Sequence, residues 1–403
     1  MKNPAALGFA FLGMLILIFT NGLTLSGITV FDESLLETFS WSRSTLKFRD
    51  FLNLVCAAII LPFIGAFIDK YGVKRAIVFG LSLLGICYYL YSFIQTPTHM
   101  YMLHIGFAFV VGTAGTLSMI IMVSERVKER RGLGIGIAIA GTSLGGMIIP
   151  QIGTRLLEDM DWRSAFQYEA ILPLLLVVVV LIFLKDIKKG NAEKDEEKVQ
   201  EEEEAFTFQE AIRTRTFWAI CAAGFLSYYS ILAIISNLFL YLRSLGFTPG
   251  EASNAFTVLF GLMLVAKFLS GFLTDYLSQF TLFKIQFGIM LVGTIGLAIG
   301  QTGWVFPFIV IIGLGWGGMY TLFNYIIIDA FGLKSAGKIG GSISTIESIG
   351  GGLGMWMTGL LYDSYGSYSV AFWVIAVFIG LSLVLSFLIR PVNVADTAEA
   401  NLV

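Results

Sequence analysis

The chain has 403 residues, of which 56% are hydrophobic and 13% charged, about half the charged share of a soluble domain. Its net charge is −2, so no overall field draws in a polyanion. A nucleic-acid partner, a disordered chain and a secreted disulfide scaffold are excluded, which leaves an integral membrane protein of many helices.

Runs of about 20 apolar residues, the length that crosses a bilayer, fall first at 6–30, 51–68, 76–94, 100–123, 132–154 and 165–185. The first is a span and not a signal peptide, because it runs past twenty residues without a small-residue cleavage site. Then comes 186–216, with Lys188, Lys189, Lys194 and the acidic run Glu201 to Glu204. A segment so charged cannot cross a bilayer and has little to pack on. A second set follows at 217–241, 252–274, 284–303, 306–328, 339–361 and 369–389. The sequence thus predicts an all-α membrane protein of twelve transmembrane helices. They form two six-helix halves, 1–185 and 217–390, with a cytoplasmic charged linker at 186–216 and a cytoplasmic tail at 391–403. Cys56, Cys87 and Cys221 each sit in an apolar run and read as small packing residues.

In this layout 19 of the 26 lysines and arginines fall on one side and six on the other, with Lys267 inside a span. The positive-inside rule then places both termini and the linker in the cytoplasm and the chain in the cell membrane. The halves also echo each other. Gly65-x-x-x-Asp69 recurs as Gly271-x-x-x-Asp275, and Ala165-Phe166 as Ala371-Phe372, each 206 residues later. Such parallel repeats flank a midplane site in transporters.

Three motifs carry a family resemblance. After the second span the chain reads GAFIDKYGVKR, Gly65 to Arg75. This could be an ordinary basic inner loop, but it resembles the gating signature of the major facilitator superfamily. The resemblance implies a latch between the halves, made by Gly65, Asp69, Gly72 and Arg75 with Asp275 at the matching place. RRGLGIGIAIAGTSLG, Arg130 to Gly145, resembles the monocarboxylate-transporter signature, and puts Arg130 and Arg131 among the gating residues. Here Thr142 replaces a Ser and Gly134 an Ala, while Arg126 and Val127 stand where an aromatic pair is expected. LLETFSWSRS, Leu35 to Ser44, resembles the loop after the first helix in that family and in the oxalate–formate antiporters. The acidic, tryptophan-bearing motif before the first span is missing. So is a lysine inside that span, where Asn21, Thr24, Ser26 and Thr29 stand.

Charges inside spans are costly and usually face a cavity. Lys267 lies mid-span in GLMLVAKFLSGFLTD, where the resembling families hold a substrate-pairing arginine; satisfaction by carbonyls or snorkelling is the alternative. A lysine holds an anion as a point charge and, unlike arginine, can exchange a proton. Glu347, in the eleventh span, is the candidate for proton coupling together with Lys267, either as a coupled pair with it or as a structural ion pair. The oxalate–formate antiporters use a lysine in that helix, and its absence disfavours a dicarboxylate. Glu169 and His104 read as structural, and Asp329 as a gate or cap. By resemblance, Asn21, Thr24, Tyr229, Asn237, Tyr320 and Asn324 lie on the cavity-lining first, seventh and tenth helices.

No phosphate loop, metal cluster or nucleophile elbow is present in the sequence, so neither an enzyme nor an ATP-driven pump is expected, and no cofactor or metal. The expected function is secondary active transport of a small, monocarboxylate-like organic anion by alternating access with proton symport, the chain working as a monomer in the lipid bilayer. Anion exchange, carriage of a zwitterionic or neutral solute, and ligand sensing without transport are the alternatives.

Overall fold

The computed structural model describes residues 4–185, 206–300, 302–332 and 336–390. These form fifteen α-helices, with no strand among the described residues. The first half holds α1 (Pro4–Asn21), α2 (Asp32–Phe39), α3 (Arg43–Tyr71), α4 (Val73–Tyr91), α5 (Pro97–Ala114), α6 (Thr116–Arg126), α7 (Arg131–Asp159) and α8 (Trp162–Phe183). After the short α9 (Phe208–Ala211), the second holds α10 (Arg215–Ser244), α11 (Pro249–Leu273), α12 (Gln279–Ile299), α13 (Val305–Phe331), α14 (Ala336–Tyr365) and α15 (Ser369–Ser386). One π turn (Gly22–Ser26) and one 3-10 turn (Gly27–Phe31) join α1 to α2, and the pair forms a single span. So do α5 and α6, which break at Gly115.

Among the described residues, eleven spans are long and apolar enough to cross a membrane. The twelfth, α14, has 30 residues, but its glycines, serines and threonines dilute its hydropathy. Those residues serve packing. On α14, a Cβ at Gly350 or Gly354 would collide with the backbone of Phe225 or Tyr229 in α10, and on α7 Gly141 and Gly145 lie as tightly against Met14 and Ile18 of α1. Small residues let membrane helices approach closely, and the two halves use the device at matching places.

The helices start earlier than hydropathy suggests. Ser42 caps α3 by accepting from the Thr45 N–H, so the span expected from 51 begins at Arg43 and takes Lys47 and Arg49 out of the expected outer loop. Most of the linker and the whole tail lie outside the described residues. From Phe206 onward the expected linker is folded: the Phe206 N–H donates to the Phe331 carbonyl at 3.1 Å, and Thr207 and Glu210 cap each other around α9.

Among the described residues the halves meet from one end to about mid-span. At that end Asp363, near the end of α14, accepts from the N–H groups of Arg43 (3.0 Å) and Ser44 (2.7 Å) at the start of α3. The Arg43 guanidinium lies 3.5 Å over the Tyr362 ring, and Arg243 Nε donates to Glu33 at 2.7 Å. At the opposite end, which carries Lys70, Arg75, Arg130 and Arg131, the same helices part. Gly359 and Gly352 of α14 lie against Arg43 and Phe51 of α3, whereas Gly341 on α14 and Gly65 on α3 have no neighbouring atom within 4 Å of an added Cβ. Among the described residues the molecule is sealed at one end and open at its basic end.

Candidate functional site

A second seam, between α7 and α11, shows where the opening begins. From the sealed end, the hydroxyls of Thr154 and Ser253 share a hydrogen bond, and Gln151 Nε2 donates to Asn254 (3.2 Å) and Thr257 (3.0 Å). Gly146 then faces the Phe260 ring. The last rung is Lys267, whose Nζ donates to Thr142 Oγ1 at 3.0 Å and Ser143 Oγ at 2.9 Å. Beyond it, Gly132 and Gly136 on α7 and Gly271 on α11 have no neighbour within 4 Å of an added Cβ. Lys267 therefore stands where the two halves part. No carboxylate lies within ion-pair distance of it among the described residues. An ammonium has three N–H donors, and the two hydroxyls account for two. The Tyr320 ring lies 5.2 Å from Nζ.

Glu347 is buried, 6% exposed, with its carboxylate against α10: a Cβ on Gly224 would lie 3.1 Å from Oε1. Cys221, Tyr228 and Tyr320 are within its electrostatic reach. The coupled pair with Lys267 is not formed. Lys267 reaches across to α7 while Glu347 turns toward α10, and Tyr320 neighbours both.

The other expected cavity groups are scattered. Asn21 ends α1, where α-winding gives way to the π turn, and Thr24 donates back to the Thr20 carbonyl at 2.6 Å. Asn237 ties α10 to α14, its Nδ2 donating to the carbonyls of Ala233 (3.0 Å) and Met355 (3.3 Å). Tyr229 points its ring edge-on at Phe378 of α15, 4.8 Å away. The side chain of Asn324 lies outside the described residues. Of these candidates, Lys267 and Tyr320 come together.

A buried charge cluster at the sealed end escaped the sequence reading. Asp32, at the start of α2, accepts from Lys47 and from Arg49 on α3. All three side chains are fully buried. Asp50 lies 3.8 Å from Lys47, 3.4 Å from Arg49 and 3.7 Å from His104. Arg49 donates to the Tyr91 hydroxyl at 3.0 Å, and that hydroxyl is 3.2 Å from His104 Nε2. His104 thus belongs to a polar network. The second half joins through Ser236 alone among the described residues: its hydroxyl donates to Asp50 at 2.7 Å, and its carbonyl accepts from Lys47. The signal was present as a polar stripe, Lys47, Asp50 and Asn53, three residues apart and leading into the apolar run. Glu169 is also fully buried, on α8, and neither carboxylate oxygen has a hydrogen-bond partner among the described residues.

The family model of the Major Facilitator Superfamily matches residues 11–355. This chain belongs to the major facilitator superfamily. It is a multi-pass membrane protein and a secondary transporter. Among its relatives, the oxalate:formate antiporter of Oxalobacter formigenes is 23% identical over 82% of this chain and 84% of its own. Monocarboxylate transporter 10 of Rattus norvegicus is 24% identical over 94% of this chain and 78% of its own. A solved structure of a bacterial homolog to the human lysosomal transporter Spinster, inward-facing and occupied, has the same fold. It superposes with a TM-score of 0.77 at 15% identity, covering 96% of this chain and 97% of its own.

In this facilitator the gating candidates all stand at the open end. Gly72 ends α3 at φ +86°, a conformation that favours glycine. Arg130 caps α7 at φ +53°, and Arg131 Nε donates to Ser124 at 2.8 Å. Arg75 and Asp275 are exposed, and no atom lies within 4 Å of an added Cβ on Gly65. We propose that these groups form a latch when the basic end closes. Asp69→Asn is therefore expected to slow transport several-fold while leaving equilibrium substrate affinity within a few-fold. Uptake and binding measured on one preparation check this; full loss of affinity with normal stability would place the loop in the substrate site.

Proposed function

We propose that this facilitator carries a monoanionic carboxylate together with a proton by alternating access. The observation that carries the reading is Lys267, an ammonium with no carboxylate partner among the described residues, held where the halves part. A carboxylate on Lys267 would also meet Thr142 and Ser143 of the other half, so binding would draw the two halves together. With the basic end in the cytoplasm, as the lysine and arginine distribution predicts, the open end faces inward and the charge cluster forms the closed outer gate. The lysine of α14, Lys338, is exposed in the first turn; that the rest of this helix offers no cation among the described residues favours one negative charge on the substrate.

Glu347 is the proposed proton carrier: a buried acid beside the same tyrosine that faces Lys267. Glutamine at this position imitates the protonated acid permanently. Glu347→Gln is therefore expected to retain counterflow exchange and to lose pH-driven uphill accumulation, both measured on one proteoliposome preparation. Intact accumulation in that variant would exclude Glu347. Weaker binding at every pH with coupling unchanged would make it a positioning group for the site.

A second reading, a zwitterion held at both ends, draws on the separation of Lys267 from Glu347 with Tyr320 beside each. Competition between an amino acid and the carboxylic acid of the same skeleton separates the readings.

A further inference from the structure

Lys267 does not face the gap bare. It stands at the head of a cavity of about 360 Å³ that opens between α7, α11 and α13. Ile135 and Ile139 form one wall, Leu264 and Phe268 the second, Tyr320 and Tyr325 the third. Lys267 is the single charged group in the lining, and it stands at one end. At about 30 Å³ for each water-sized group, such a volume accommodates roughly a dozen heavy atoms. A two- or three-carbon acid has at most half that number, and would leave hydrated space against aliphatic and aromatic walls. Apolar lining with one fixed charge is how a site selects an amphiphile: the charge orients it, and the walls supply most of the affinity.

We propose that the substrate is a monocarboxylate with an apolar body of about six to ten carbons. Its carboxylate lies on Lys267, and its body runs along Ile135, Ile139, Leu264 and Phe268 toward the open end. The inference rests on the reading of Lys267 as the carboxylate anchor, and adds the length and character of what the anchor holds. Gly136 lines the same cavity and has no atom within 4 Å of an added Cβ, so a larger side chain there would enter the cavity without displacing a helix.

The test is isothermal titration of the full chain in lipid nanodiscs with acetate, butyrate, hexanoate, octanoate and 3-phenylpropanoate, with octanamide as the uncharged probe. Nanodiscs carrying Lys267→Ala correct for partition into lipid. Each added methylene is expected to tighten binding about threefold to fourfold until the cavity is full, near octanoate. Gly136→Leu is expected to weaken octanoate at least tenfold and butyrate less than threefold. Equal affinity for acetate and octanoate, both lost in Lys267→Ala, would overturn the apolar body and leave the anchor standing. Octanamide binding as tightly as octanoate would overturn the anchor. Octanoate bound equally by Lys267→Ala nanodiscs would mean partition into lipid, and would overturn the proposal.

Discussion

Replacing Lys267 with alanine is expected to abolish measurable carboxylate binding and transport while the protein still folds. The variant removes the ammonium and vacates space beside Thr142 and Ser143 that water from the adjoining cavity can fill, satisfying both hydroxyls, so stability should change little. A desolvated carboxylate that loses its counter-charge forfeits about 3–5 kcal/mol, at least a hundredfold in affinity. Lys267→Arg should keep part of the function. It retains the charge, but a planar fork does not reproduce the two bonds that the compact ammonium makes to adjacent hydroxyls. Titration and proteoliposome uptake on matched preparations measure both effects. Near-normal accumulation by the alanine variant would move the anion site elsewhere.

The largest stability effect is expected at Asp32. Its two oxygens serve Lys47 and Arg49, both fully buried, and the cluster balances those two cations against Asp32 and Asp50. Asp32→Ala leaves two cations sharing Asp50, which lies 3.4 Å from Arg49 and 3.8 Å from Lys47. Breaking a buried pair from one side costs about 3–5 kcal/mol, a large part of the roughly 5–15 kcal/mol that holds a typical domain together. A sharp fall in monodisperse yield and in Tm is the expected result. Removing one cation as well, with Asp32→Ala and Lys47→Met combined, should recover part of the loss, because charge balance is restored. An unchanged Tm in the single variant would show that water already reaches the cluster.

The spans were legible because lipid leaves the backbone no partner but itself, so apolar length translates directly into helix. Polar spans and polar ends were harder. The run that begins at 51 hid the start of α3, since Lys47 and Arg49 look like loop residues until Asp32, fifteen and seventeen positions earlier, is seen to neutralise them. Lys267 stood out by its depth. Its partners did not, because Thr142 and Ser143 lie in a different half and only the packing of α7 on α11 brings them near. Glu347 was visible for the same reason as Lys267, yet no spacing could show that α14 turns it toward α10. Tyr229 and Asn237 share α10, and no linear feature distinguishes a ring aimed at α15 from an amide tied to α14.

The weak hydropathy of α14 bears on how the chain is made. A segment with so many glycines and hydroxyls, and a carboxyl in its middle, partitions poorly into lipid when it leaves the translocon. Its binding groove exists by then, because α3 and α10 have already been synthesised and inserted. The helix is therefore expected to enter the membrane by seating between its neighbours. Asp363 rides at the far end of this helix, and with it the carboxylate that holds the start of α3. The part of the join made by α14 is thus among the last contacts a nascent chain can make, and a chain truncated before α14 keeps only the contacts that α10 and α11 make with the first half.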